Sequence, residues 1–312
     1  MQRKVLVAVD GSPYSTNSLR YLGQLFHHID EIHFDLLAVV PTSTSSVAAR
    51  EWLSDQELLN VASPATSKAM VAQKKYMEQA EEMLHRLGVA TEQIHTTVIP
   101  CHRGIADDIL HLARKGMYDA LLIGRRGIGK LEELIMGSVS SSILEKCHDV
   151  PLWIIDGQVN SCKFLVPVDG SCNALRAIDH LAFMISNNPY AEVTLFYSKA
   201  LLASEPKLSP EDFHAIWAKE WCDEHLHRPD SLFHAPRQLL IDSGFPEERI
   251  FWLQTFKGLD PSRQILRQAL LDDFGTIVIG RRPCHHADKG ILRGVSDRVL
   301  LMAEQVAVWV VG

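Results

Sequence analysis

The chain has 312 residues, of which 46% are apolar and 22% charged, with a formal net charge of −7. That length fits about two domains, and the composition is that of an ordinary globular protein. The negative balance speaks against a nucleic-acid or anionic-membrane partner held by bulk charge, and no apolar run approaches the ~18 residues of a membrane span.

After Met1-Gln2-Arg3-Lys4 the chain enters an apolar run at once, so no signal peptide is expected. Six cysteines are scattered without a Cys-x-x-Cys pair. That usage predicts a reduced, cytoplasmic chain rather than a disulfide framework.

In chain order, apolar runs predict strands at 4–9, 33–39, 94–99, 119–123 and 151–155. Amphipathic stretches between them predict helices at about 15–28, 67–87, 104–115 and 138–147. Pro41 to Pro64 reads as a surface excursion. The pattern then starts again, with strands at 163–168, 191–197, 250–255, 275–279 and 306–311. Its helices fall near 173–187, 210–227, 231–243, 261–273 and 292–303, and Arg228-Pro229-Asp230 breaks what would be one long helix. Strands apolar throughout and alternating with helices predict parallel sheets covered on both faces, with right-handed crossovers.

The restart is a true repeat. Val5-Leu6-Val7-Ala8-Val9-Asp10-Gly11-Ser12 returns as Phe164-Leu165-Val166-Pro167-Val168-Asp169-Gly170-Ser171. Leu121-Leu122-Ile123-Gly124-Arg125-Arg126 returns as Ile277-Val278-Ile279-Gly280-Arg281-Arg282, and Val150–Ile155 as Val306–Val311. The offsets of 159, 156 and 156 keep order and spacing. The chain is therefore read as a tandem duplication, with domains at 1–157 and 161–312. An open parallel sheet exposes an edge that invites pairing. The two halves are expected to pair through their final strands, where Trp153 and Trp309 stand, and a further homodimer stays open.

Chemistry concentrates between Gly124 and Ser142. Gly124-Arg125-Arg126-Gly127 follows an apolar strand; Gly137-Ser138-Val139-Ser140 opens a helix. Glycines let backbone approach an anion, and the free N–H groups of a helix start attract one. Ser138 and Ser140 add hydroxyls; Arg125, Arg126 and Lys130 offer countercharge. This is neither a Walker loop nor the dinucleotide fingerprint. On the opposite side of such a site, Asp10 ends the first strand, where its carboxylate can accept from ribose or base, or simply cap the next helix. Val39 and Val40 end the second strand.

Val-Ala-Val-Asp-Gly-Ser at the start, and Gly-x-x-Gly, nine residues, then Gly-Ser near position 137, resemble the universal stress protein family. The likeness runs twice along the chain and looks like the tandem form. It implies two doubly wound α/β domains of the adenine nucleotide alpha hydrolase-like kind, each with five parallel strands and four helices. It also implies ATP as ligand, on whose phosphates Mg²⁺ could ride. Ala8, Asp10 and Val39 or Val40 would contact base and ribose; Ile123, Gly124, Gly127, Gly137, Ser138, Val139 and Ser140 would hold ribose and phosphates.

Nothing compels an enzyme. His102, Glu132 and Glu133 could assist slow hydrolysis as bases, but a solvated surface role suits them better. Cys222-x-x-His225-x-His227 and Cys284-His285-His286 carry soft ligands without a recognisable four-ligand spacing. The expectation is a nucleotide-binding stress or signalling module. The alternatives are an ATP pyrophosphatase or adenylyl transferase, whose Ser-Gly-Gly-x-Asp and His-x-Gly-His motifs are missing, and a ligand-free scaffold. The second half is expected to have weakened its phosphate site. Pro283 replaces the glycine equivalent to Gly127, Gly294 comes after ten residues, Val295 takes the place of Ser138, Ser296 falls one place late, and Asp297 brings negative charge.

Overall fold

The computed structural model describes residues 2–42, 54, 56–57, 63–125, 137–199, 213–255, 258–282 and 294–312. They divide into two compact units, Met1–Gln158 and Val159–Gly312. The first holds β1 (Arg3–Ala8), α1 (Pro13–Phe26), β2 (Ile32–Val40), α2 (Pro64–Arg86), β3 (Ile94–Pro100), α3 (Ile105–Lys115), β4 (Ala120–Gly124), α4 (Ser138–Lys146) and β5 (Leu152–Ile155). Its sheet runs β3-β2-β1-β4-β5, every pair parallel.

The strands form where the sequence is β-branched and leucine-rich, and Val5, Leu6 and Val7 in β1 are all buried. Burial of consecutive residues requires cover on both faces, which helices provide. Helix starts follow local chemistry. Ser12 and Ser63 accept from Ser15 and Thr66 N–H, and proline occupies the next position in each case. That pair moves both starts forward of the expected 15 and 67. Asp107 and Asp108 lie in the first turn of α3, and Arg114 and Lys115 in its last, matching its dipole.

The second unit repeats the plan with β6 (Lys163–Pro167), α5 (Cys172–Ile185), β7 (Glu192–Ser198), α6 (Lys219–His225), α7 (Ser231–Asp242), β8 (Ile250–Thr255), α8 (Pro261–Leu271), β9 (Thr276–Gly280), α9 (Val295–Met302) and β10 (Ala307–Val311). Its order is β8-β7-β6-β9-β10, again parallel. The break at Arg228-Pro229-Asp230 separates α6 from α7 as expected. The helix expected from 210 is interrupted: Phe213 and His214 are helical, a turn follows, and α6 starts at Lys219, while 210–212 lie outside the described residues.

Each domain keeps a buried tryptophan in its last strand. Trp153 stacks on Phe26 with ring centroids 5.6 Å apart. Trp309 instead meets Phe164 edge-on at 5.5 Å and His180 at 5.9 Å. Burial pushes the His180 imidazole down to about 3.

Candidate functional site

From β1 the first sheet runs one way to β2 and β3 and the other way to β4 and β5. The order therefore reverses between β1 and β4, and the crevice beyond their carboxyl ends is where open α/β sheets take ligands. Ala8 pairs with Ile123 across that junction, so Asp10 and Gly124 leave the sheet on either side of it.

Asp10 is held firmly. Its Oδ1 accepts from the Ser12 N–H at 3.0 Å and the Ser15 hydroxyl at 2.7 Å, and its own N–H donates to Ser15 Oγ at 3.0 Å. Gly11 then turns at φ +80, a left-handed conformation that suits glycine. The two valines differ. Val40 is buried and its carbonyl accepts from Cys101 N–H at 2.8 Å, whereas Val39 is half-buried. Val39 is thus the one with surface to offer.

On the other side, Gly137 N–H donates to Arg125 O at 2.9 Å, and Arg125 N–H to Ile155 O at 2.9 Å. Both ends of the glycine loop are therefore tied to the sheet. Gly127, Arg126, Lys130, Glu132 and Glu133 lie outside the described residues. Gly137 caps α4, and the first intrahelical bond is Ser141 N–H to Gly137 O. Among the described residues nothing accepts from the N–H groups of Ser138, Val139 and Ser140, the orphan donors of a helix start.

Two expectations change. Arg125 is only 3% exposed in its side chain and pairs with buried Asp156 at 3.5 Å, so its charge is answered inside the domain. Ser140 donates its hydroxyl to Gly124 O at 2.8 Å; its one proton braces loop against helix and is not offered outward. Ser138, by contrast, is exposed. His102 N–H donates to Asp108 Oδ2 at 2.8 Å, so its backbone belongs to the start of α3.

The second domain differs in ways that counting along the loop misreads. Ser140 and Ile143 are the buried positions of α4, and Cys147, which caps it, is buried too. Ser296 and Val299 of α9 and its buried cap Ala303 match them at a constant offset of 156. Ser296 is therefore not late: it stands in register with Ser140, and Gly294 with Ser138. The start of α9 has slipped by one residue. Asp297 also departs from expectation, because its carboxylate faces Arg281 at 3.6 Å. Gly312 occupies the place of Asp156, so Arg281 has found a different partner. Pro283 and Cys284-His285-His286 fall outside the described residues.

Pro167, which the motif reading passed over, matters too. Val9 and Val168 both send their N–H groups sideways, to Leu37 O and Phe196 O. The residue before each, Ala8 or Pro167, must turn the other way, towards β4 or β9. Proline has no N–H to send. Pairing runs four residues in β1–β4, Val5↔Ala120 to Ala8↔Ile123, but only Phe164↔Thr276 and Leu165↔Ile277 in β6–β9.

Among the described residues no group of three His, Cys, Asp or Glu could hold a metal, and no helix is long and apolar enough to cross a membrane. His225 and His234 hydrogen-bond each other at 3.0 Å through Nδ1 and Nε2. Sequence reading also missed Ser15, five positions after Asp10, and Asp156, which lies 31 positions after Arg125 and beyond the reach of any motif.

The sequence profile of the universal stress protein family matches residues 1–155. Universal stress protein YxiE of Bacillus subtilis is 28% identical over 147 residues, covering 46% of this chain and 92% of its own. A universal stress protein of Methanocaldococcus jannaschii is 25% identical over 150 residues, 47% of this chain and 79% of its own. Among solved structures, a universal stress protein from Archaeoglobus fulgidus is similar over 99% of this chain and 97% of its own, with a TM-score of 0.63 at 17% identity, a likeness of fold. With the profile on the first half and the same fold repeated in the second, the chain belongs to the universal stress protein family, in its tandem two-domain form.

Proposed function

We propose that the first domain binds one ATP per chain, and that the protein works as a nucleotide-responsive stress or signalling module. The observation that carries this is the start of α4. Three N–H groups without an acceptor among the described residues stand beside a sheet junction, at the end of a loop pinned on both sides. Such a helix start favours phosphate. Asp10, fixed by Ser12 and Ser15, accepts from the ribose; Ala8, Val39 and Ile123 line the base and sugar side. Gly124, Gly127, Gly137, Ser138, Val139 and Ser140 surround the phosphates, Mg²⁺ accompanying them.

Calorimetry tests the reading. Asp10→Ala and Gly137→Val should each weaken ATP binding by about ten-fold or more, the scale of one charge-assisted hydrogen bond. Gly294→Val should leave it unchanged, with a stoichiometry of one. Two equivalent ATP sites per chain, or wild-type affinity in both first-domain variants, would sink the proposal. Chromatography of what remains bound separates binding from conversion.

Within its own domain β5 pairs with β4, and β10 pairs with β9. We propose that these final strands bring the domains together, duplication replacing the dimer a single domain would form. Residues 1–158 and 159–312, expressed separately and mixed, should then co-elute on a sizing column. Two stable monomers that ignore each other would refute this arrangement.

A further inference from the structure

Helix α2 buries a regular stripe of Thr66, Met70, Met77, Ala80 and Leu84. Gln73 falls three residues after Met70 and four before Met77, squarely within that stripe, where stability alone would place another apolar side chain. Its Nε2 donates to the backbone carbonyl of Asp10 at 3.0 Å. Its Oε1 is buried with no partner among the described residues, an arrangement that costs stability. One turn away, the Tyr76 ring closes over the same loop: a Cβ at Gly11 would lie 3.6 Å from it. The Tyr76 hydroxyl sits near those of Thr16 and Ser15, and burial raises its pKa.

Gly11 adopts a left-handed φ of +80 and has no side chain to brace it. The peptide joining Asp10 to Gly11 is therefore one that can rotate cheaply, and the Asp10 carbonyl is the atom that would swing. Gln73 holds that carbonyl from outside the loop. In the second domain the equivalent Asp169 keeps its bonds to Ser171 N–H and Oγ, at 3.0 and 2.6 Å, but Ala174 stands where Ser15 does.

We infer that Gln73 is a positioning residue for the sugar of the bound nucleotide. By fixing the Asp10 carbonyl it sets the carboxylate that distinguishes ribose from 2′-deoxyribose. This rests on the ATP reading of the first domain.

The test compares ATP and 2′-deoxy-ATP binding to the full chain by calorimetry. Wild type is expected to prefer ATP by about three- to ten-fold, the scale of one hydrogen bond. Gln73→Met keeps the volume of the side chain and removes the donor, and should bring the ratio within about two-fold of one. Gln73→Lys returns a donor and should restore much of the preference. A Gln73→Met protein that melts at lower temperature yet keeps the wild-type ratio would show a structural role only and overturn the inference. Failure of wild type to bind either nucleotide would overturn the ATP reading itself, and this inference with it.

Discussion

Asp156→Ala is expected to lower the stability of the first domain by about 3–5 kcal/mol, the cost of stranding a buried charge. The Arg125 guanidinium and the Asp156 carboxylate are both almost fully buried in their side chains, at 3% and 8% exposure, and 3.5 Å apart. Water cannot replace the lost partner at so little exposure. The effect should reach past stability, because Arg125 O anchors Gly137 and Arg125 N–H is bonded to Ile155. Urea unfolding would show the loss as a lower midpoint. Replacing both partners together, as Arg125→Leu with Asp156→Leu, should recover most of it, since a buried ion pair is close to neutral against apolar residues. A double variant no better than Asp156→Ala would mean that the pair is not the cause. Asp297→Ala should cost less, because Asp297 keeps 28% side-chain exposure against Arg281.

Trp153→Ala should be comparably damaging, at about 3–5 kcal/mol. The indole is fully buried in β5, lies opposite Leu122 in β4 and stacks on Phe26 at an interplanar angle of 12°. Removing it leaves a cavity between helix α1 and the sheet that rigid strands cannot close. A double-mutant cycle with Phe26→Leu isolates the stacking, for which coupling of about 0.5–1.5 kcal/mol is expected. Coupling near zero would mean that the two rings merely share a core. A loss below about 1 kcal/mol for Trp153→Ala alone would mean the site collapses freely, against the close packing of the interior.

The fold was legible because its signals are local and doubled. Runs such as Val5-Leu6-Val7 and Leu121-Leu122-Ile123 read as strands covered on both faces, and their return at fixed offsets repeats the signal. The glycines and Asp10 were legible because turns and helix starts are short-range chemistry. Contacts across distance were not. Arg125 looked like an outward cation, since nothing in its neighbourhood announces Asp156, 31 positions on. Ser296 was misplaced because counting forward through a loop accumulates every change in that loop. Counting back from Trp309 gives the register that packing enforces. Gln73 carried a signal, a polar residue in an apolar stripe, but one that means something only once α2 is seen to lie over Gly11.

The exchange of Asp156 for Asp297 makes the two copies electrostatically unlike. In the first domain the arginine is balanced from just beyond a strand end, and the first turn of α4 carries no acidic side chain. In the second, the carboxylate that balances Arg281 belongs to the first turn of α9. A negative charge has thus been placed at the start of α9 itself, where the helix dipole favours one. The first turn of α9 carries its own counter-charge, whereas that of α4 holds no acidic residue. Duplication has left two electrostatically unlike helix starts on one repeated fold.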